Sequence, residues 1–291
     1  MVPEATLTVL AQVIISGILL GAVYALLAIG LNLIFGVMRV INVAHGDLMM
    51  LGAYTTFWLF TLWGVSPLIS LLVAMGLMFA FGALLQRVVV ERVVGQPLLV
   101  SLLLTFGLSS FLTGSALNLW TANYRSVPAF TGSLEMAGLA LAVPRVIAFV
   151  VALAITIALY LFLKYARIGK AIRATSQNAE VALVCGVDVA RIRVLTFGLG
   201  TALAAAAGSL LAVMYTVYPE MGRTFLLKAF AIIVLGGLGS FGGAFLGALA
   251  LGVAEALAAY VWTAQIAEAV AYALLIGVLL ARPSGLFGIR E

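Results

Sequence analysis

The chain alternates long apolar segments with short polar ones, and this pattern predicts its secondary structure. A helix needs about 20 apolar residues to cross a bilayer, and the apolar runs are continuous, unlike the alternating strands of a barrel. The pattern therefore predicts an all-α integral membrane protein, a bundle of about eight or nine membrane-spanning or re-entrant helices. The predicted segments are residues 7–35, 47–63, 67–86, 97–119, 144–163, 194–217, 226–240, 241–262 and 265–281.

Glycines interrupt the pattern between the two segments that meet near residue 240. Residues 236–243 contain five glycines, and each weakens a helix by about 1 kcal/mol relative to alanine. We therefore expect a helix break at Gly236, Gly237 and Gly239, with one flanking segment a candidate half-helix. Gly17 and Gly21 are four residues apart, a spacing that lets two helix backbones approach closely in lipid.

Composition agrees with a membrane protein and excludes other classes. The chain is 65% hydrophobic and 9% charged, whereas a soluble domain is about half apolar and a quarter charged. The net charge of +5 does not indicate nucleic-acid binding, because basic residues of membrane proteins mark the cytoplasmic side. No soluble domain is evident, so we expect one transmembrane domain over residues 1–291. The start lacks a basic signal region, so the first span is expected to stay in the mature protein.

The distribution of basic residues predicts the orientation. Ten of the fifteen basic residues lie in the 164–193 segment, at residues 87 and 92, and at residues 282 and 290, which we place in the cytoplasm. Residues 120–143 then lie outside. The N-terminus also lies outside if residues 36–46 form an ordinary cytoplasmic turn, and the assignment reverses if they re-enter the membrane.

Between two uncharged runs lies a polar group of four residues, Asn42, His45, Gly46 and Asp47. In a structural interpretation, Asn42 caps a helix that begins near His45, Asp47 suits its positive end, His45 pairs with a neighbouring helix and Gly46 allows close packing. In a functional interpretation, a helix broken at membrane depth handles a carboxylate or ammonium group. Asn42 and His45 then line a translocation path near its cytoplasmic end. A single histidine without clustered cysteines or carboxylates does not favour a metal site.

A second candidate is Glu255, a carboxylate inside a predicted span. Ionisable groups at membrane depth are functional candidates by default. The alternative, which we favour, is a structural hydrogen bond to a neighbouring helix.

The longest charged segment, about 164–193, contains residues 168–188 with helical periodicity. We expect a short amphipathic helix that Gly186 can end. It either rests on the membrane surface or docks onto a cytoplasmic partner.

Several stretches resemble the branched-chain amino-acid ABC permeases of the LivH type. The stretch A-L-L-A-I-G (25–30) precedes I-N-V-A-H-G-D (41–47), and R-I-G-K-A-I-R-A (167–174) comes before an Ala-rich segment with a loose E-A-A-x-x-x-G match. K-A-F (228–230), V-L-G-G-L-G-S (234–240), G-V-A-E-A (252–256) and P-S-G-L-F-G (283–288) follow in order. The resemblance covers essentially the whole chain.

The resemblance implies a type II-like ABC importer permease in a bacterial inner membrane. Its partners would be a second homologous permease, two ATP-binding subunits and a periplasmic binding protein. The segment that couples the permease to the ATPases would include Arg167, Gly169, Arg173, Glu180, Ala182 and Gly186.

The sequence agrees with a complex in which separate subunits bind ATP, because it contains no G-x-x-x-x-G-K-[ST] phosphate loop. We therefore expect no enzyme activity and no bound cofactor in this chain, with ATP used by partner subunits.

The alternatives to a branched-chain amino-acid importer are an importer for urea, amides or other amino or aromatic acids, and an ion-coupled transporter with Asp47 or Glu255 as proton site. An intramembrane enzyme is disfavoured by the single histidine and few buried acids.

Overall fold

A computed structural model describes residues 4–136 and 138–281. Within these ranges the chain forms eleven α-helices, one 3-10 turn (Val90–Val93) and one two-stranded hairpin. The strands are β1 (Ser133–Met136) and β2 (Leu139–Ala142), paired antiparallel. The helices are α1 (Glu4–Met38), α2 (His45–Trp63), α3 (Pro67–Val88), α4 (Leu98–Trp120), α5 (Val143–Tyr165), α6 (Arg167–Gln177), α7 (Ala179–Val184), α8 (Val189–Met214), α9 (Met221–Gly236), α10 (Phe241–Val261) and α11 (Ala264–Ala281).

Each of the nine predicted apolar segments coincides with a helix. Among the described residues, six helices are long and apolar enough to cross a membrane: α1, α3, α4, α5, α8 and α10. The largest shifts are at the starts of α8 and α9, five residues earlier than predicted. For α8 the reason is a capping bond, because the Asp188 carboxylate accepts from the Arg191 N–H at 3.0 Å and makes the polar first turn helical.

Two long helices, α1 and α8, form the centre of the bundle, and small residues set their contacts. A Cβ atom on Gly30 of α1 would meet the Gly200 carbonyl of α8. In the same way Gly17 faces Gly252 of α10, which confirms the predicted close packing of this glycine. These contacts leave α1 and α8 largely buried while α3, α4 and α5 present apolar faces outward.

The ends of α1 lie on opposite sides of the protein. Near its start, the Gln12 side chain donates to the Ala140 carbonyl of the hairpin at 3.0 Å, while α6, in the basic segment, packs on α1, α5 and α8. Since the basic segment marks the cytoplasm, the start of α1 and the hairpin lie outside.

The chain re-enters the bundle after α1. Arg39 adopts a positive φ of 51°, and residues 40–44 then run beside α4, where the Val43 N–H donates to the Thr105 hydroxyl at 3.1 Å. The following helix, α2, begins about three turns before the end of α1, beside Leu27. The reversal expected for a re-entrant segment is therefore wrong. Helix α2 continues to the outer side, where Pro67 lies near Pro144 at the start of α5, so it completes the crossing and the start of α1 stays outside.

The second half of the bundle repeats this arrangement in the opposite direction. After α8, residues 215–220 lead to α9, and its Gly222 packs against Gly46 at the start of α2. Correspondingly, α1 packs on α10 and α8 packs on α3. These pairings are those of an inverted repeat. Helices α2 and α9, each joined by a short loop to the long helix before it, meet near the middle of the protein.

Candidate functional site

The polar group at 42–47 lies at the meeting point of α2 and α9. His45 is fully buried, and its Nε2 donates to the Leu27 carbonyl of α1 at 3.1 Å. The Thr113 hydroxyl of α4 donates to the Asp47 carboxylate at 2.8 Å. A Cβ on Gly46 would clash with the Gly222 carbonyl. The structure therefore confirms that His45 pairs with a neighbouring helix and that Gly46 allows close approach.

The capping role expected for Asn42 is wrong. The N-cap of α2 is Ala44, and no side chain caps the helix, while Asn42 contributes only its carbonyl, which accepts from the His45 N–H at 3.3 Å. Asn42 lies two residues too early for its side chain to cap the first free N–H groups. Its amide atoms and the His45 Nδ1 are buried without a hydrogen-bond partner among the described residues. Contact of Asn42 and His45 with a transported molecule stays a prediction.

The predicted break at the glycine cluster is confirmed. Helix α9 ends at Gly236, and Gly237 and Gly239 adopt positive φ values of 85° and 83°, which favour glycine. Asn32 of α1 fixes this turn. Its Oδ1 accepts from the Gly239 N–H at 2.7 Å, and its Nδ2 donates to the Ser240 carbonyl at 2.9 Å.

An Asn32→Ala variant is expected to lower the free energy of unfolding by about 1–3 kcal/mol, because two backbone groups lose their partner in a mostly buried site. Thermal unfolding of the detergent-solubilised protein measures this. Asn118→Ala, at an exposed position of α4, is the matched control and should change the midpoint little. Equal shifts for both variants would contradict the role given to Asn32.

Glu255 of α10 forms a buried ion pair, which confirms its predicted contact with neighbouring helices. Lys228 Nζ of α9 lies 3.0 Å from Glu255 Oε1 and donates to Oε2 at 3.1 Å. The Tyr24 hydroxyl of α1 donates to the same Oε2 at 3.0 Å and accepts from Lys228 at 3.1 Å. Lys228 and Glu255 are each 7% exposed. These three side chains are called the buried triad below.

Sequence reasoning missed the cationic partner. Lys228 stands alone in an apolar stretch (residues 225–235), which is itself a signal, since a lone cation at membrane depth pairs with an acid. Nothing in the spacing indicated that Glu255, 27 residues later, was that acid.

The buried triad lies at the wall of a cavity of about 670 Å³ on the outer side of the bundle. The cavity lies among the outer halves of α1, α9 and α10 and the first turns of α5 and α11. Its lining combines apolar, aromatic and charged side chains: Val9, Gln12, Val13, Ser16, Leu20, Tyr24, Arg145, Tyr215, Thr216, Tyr218, Thr224, Phe225, Lys228, Glu255, Ala256, Ala259, Tyr260, Ala267 and Glu268. We call it the outer cavity. Asn42, His45 and Asp47 do not line it.

The cytoplasmic segment forms two helices and not the single one expected. Helix α6 ends at Gln177, and the Asn178 side chain accepts from the Val181 N–H at 3.0 Å, capping α7. The asparagine interrupts the periodic pattern because its side chain binds the backbone of the next helix. The predicted end at Gly186 is confirmed, with a φ of 83° and a bond from the Val187 N–H to the Ala182 carbonyl at 3.0 Å.

The residues expected in ATPase coupling divide into buried and exposed groups. Gly169 and Ala182 are buried, and a Cβ on Gly169 would clash with the Phe162 carbonyl, so α6 folds tightly against the end of α5. Arg167, Arg173, Glu180 and Gly186 are exposed. Beside them α7 exposes Val181, Leu183 and Val184, to 57%, 62% and 88%. An apolar patch beside charges is typical of a protein-interaction site.

Comparison with known proteins assigns the family. Residues 13–279 match the family model described as the permease component of branched-chain amino acid transport systems. The chain belongs to this permease family.

The C-terminal P-S-G-L-F-G motif and the basic residues at 282 and 290 lie outside the described residues.

Individual relatives agree with this assignment. The high-affinity branched-chain amino acid transport system permease protein BraD of Pseudomonas aeruginosa is 36% identical, with 96% of each chain covered. The permease protein LivH of Escherichia coli K12 is 33% identical over 96% of each chain. A probable LivH permease of Methanocaldococcus jannaschii is 28% identical, covering 91% of this chain and 88% of the relative.

A solved structure shares the fold. PsaBC from Streptococcus pneumoniae in complex with Fab has a TM-score of 0.50 and 16% identity, and the match covers 92% of this chain and 91% of that chain. The family and the six apolar helices identify a multi-pass protein of the bacterial inner membrane.

Proposed function

We propose that this chain is a membrane-spanning subunit of an ATP-driven importer that takes up branched-chain amino acids. The observation that carries this proposal is the full-length similarity to permeases named for branched-chain amino acid transport. The structure agrees with an importer subunit at both ends of the bundle. A charged cavity lies on the outer side, and an exposed apolar patch lies on the cytoplasmic side.

The complex would contain a second homologous permease, two ATP-binding subunits and a periplasmic binding protein. The partner subunits would bind and hydrolyse ATP, and the permeases would alternate between outward and inward access. Substrate would arrive from the binding protein at the outer loops. Exposed Val181, Leu183 and Val184 would contact an ATPase, and α6 would pass the motion on, since it packs on α1, α5 and α8.

Leucine, isoleucine and valine are the proposed substrates. Urea, amides and other amino or aromatic acids are the alternatives, because the binding protein would do most of the selecting. An ion-coupled transporter working alone is the second alternative. It would use Asp47 or Glu255 as a proton site, but Glu255 already has Lys228 as a counter-charge at 3.0 Å.

A Val184→Ser variant tests the coupling surface. Removing an exposed apolar contact from an interface is expected to lower ATP hydrolysis by the substrate-loaded complex at least about fivefold, while the variant remains folded because Val184 is 88% exposed. Hydrolysis is measured with the assembled complex in proteoliposomes with loaded binding protein.

The matched control is Val88→Ser, at an exposed position at the cytoplasmic end of α3. It should leave hydrolysis close to that of the unsubstituted complex. Full activity of Val184→Ser, with the complex intact by size-exclusion chromatography, would refute α7 as the docking helix.

A further inference from the structure

We infer that the outer cavity is a binding site for the charged head group of a free amino acid. Lys228 and Arg145 would face its carboxylate, and Glu268 would face its ammonium group. The inference rests on the proposed function and adds to it a place on this chain where the substrate is recognised.

The charges in the cavity match a zwitterion. Its lining contains two basic residues, Arg145 and Lys228, and two acidic residues, Glu255 and Glu268. A simple anion would meet two carboxylates and a simple cation would meet two basic groups, whereas a molecule carrying both charges can satisfy both pairs. Charges inside a low-dielectric wall interact more strongly than in water, so this pattern favours a net-neutral ligand that carries both charges.

The hydrogen bonds within the buried triad do not use every donor of the Lys228 ammonium group. Lys228 Nζ donates to Tyr24 Oη and to Glu255 Oε2, and an ammonium group has three donors. Glu255 Oε1 lies 3.0 Å from Lys228 Nζ, yet it is buried without a hydrogen-bond partner among the described residues. One donor of Lys228 therefore remains for a ligand carboxylate, while Oε1 of Glu255 lies against the Lys228 ammonium group.

The rest of the lining suits an aliphatic side chain. Val13, Leu20, Phe225, Ala256 and Ala259 form apolar walls around the charged groups. Its volume of about 670 Å³ lies in the range of small-molecule sites, which are about 300–1,000 Å³ and combine apolar walls with a few placed polar groups. A purely structural ion pair needs neither this space nor Arg145 and Glu268.

Protection of an introduced cysteine tests the site directly. Ala259→Cys places a thiol on an exposed part of the cavity lining, and a membrane-impermeant thiol reagent is added to spheroplasts that express the complex. At a leucine concentration about ten times its Kd, occupancy should slow labelling about tenfold. The parent complex, in which this chain carries only Cys185, gives the background rate.

Controls separate head-group recognition from other effects. Ala122→Cys, exposed on the outer side and outside the cavity lining, should label at the same rate with or without leucine. 4-Methylpentanoate lacks the ammonium group and isopentylamine lacks the carboxylate, so neither should protect Ala259→Cys at the concentration at which leucine does. Equal protection by either analogue would overturn the head-group assignment.

The outcomes distinguish this inference from the proposed function. Unchanged labelling of Ala259→Cys in leucine, with normal ATP-driven leucine uptake by the same complex, would overturn the site and leave the importer standing. Protection without any ATP-driven uptake would support the site and overturn the importer.

A matched pair of neutralised carboxylates gives the second test. Glu268→Gln removes a charge from the cavity, and Glu135→Gln makes the same change on the exposed outer hairpin. In the Ala259→Cys background, Glu268→Gln should raise the half-protecting leucine concentration about tenfold, because bonds to charged groups are strong. Glu135→Gln should leave it unchanged, and equal values for both variants would overturn the role of Glu268.

Discussion

A Lys228→Met variant is expected to lose about 3–5 kcal/mol of stability, because removing one partner of a buried ion pair leaves an uncompensated charge. Glu255 would remain 7% exposed with only the Tyr24 hydroxyl as a donor. The melting midpoint of the detergent-solubilised protein, together with the folded yield from size-exclusion chromatography, measures the loss.

The control is the double variant Lys228→Met with Glu255→Gln, which removes both charges and keeps an acceptor for Tyr24. Replacing both members of a buried pair is often close to neutral, so the double variant should recover most of the lost stability. A single variant as stable as the unsubstituted protein, or a double variant less stable than the single one, would contradict the ion pair as described.

Gly46→Ala is expected to lower stability by about 1–3 kcal/mol or more, the range for overpacking a tight interior. The new methyl group would meet the carbonyl of Gly222 and the Leu226 side chain, so the starts of α2 and α9 would have to separate. The change is measured by thermal unfolding in detergent and by ATP-driven uptake in the assembled complex.

Gly76→Ala is the matched control for this prediction. Gly76 lies within α3, and a Cβ there would have no neighbour within 4 Å. Alanine is a better helix former than glycine, so this variant should be as stable as the parent protein or slightly more stable. A Gly46→Ala variant that behaves like Gly76→Ala would mean that the two helix starts do not pack closely.

The positions of the helices could be predicted from the sequence because hydropathy decides which segments lie in lipid. All nine apolar segments correspond to helices, and the break after Gly236 follows from the cost of consecutive glycines. The inverted pairing of α1–α3 with α8–α10 could not be predicted by this means. It depends on contacts such as Gly46 with Gly222, which join residues far apart in the chain.

The candidate site was predictable only in part. His45, Asp47 and Glu255 stood out because polar groups are rare in apolar segments, and the structure gives each of them a partner on another helix. The identity of those partners depends on helix packing. The capping role of Asn42 was wrong because a turn at Val43 and Ala44 separates it from α2, so the cap falls at Ala44.

The most direct test of the importer is leucine uptake into proteoliposomes that contain this chain with its co-expressed permease, ATP-binding subunits and binding protein, with and without enclosed ATP. We predict uptake that requires both ATP and the binding protein. Leucine uptake by this chain alone, driven by a proton gradient, would contradict the account.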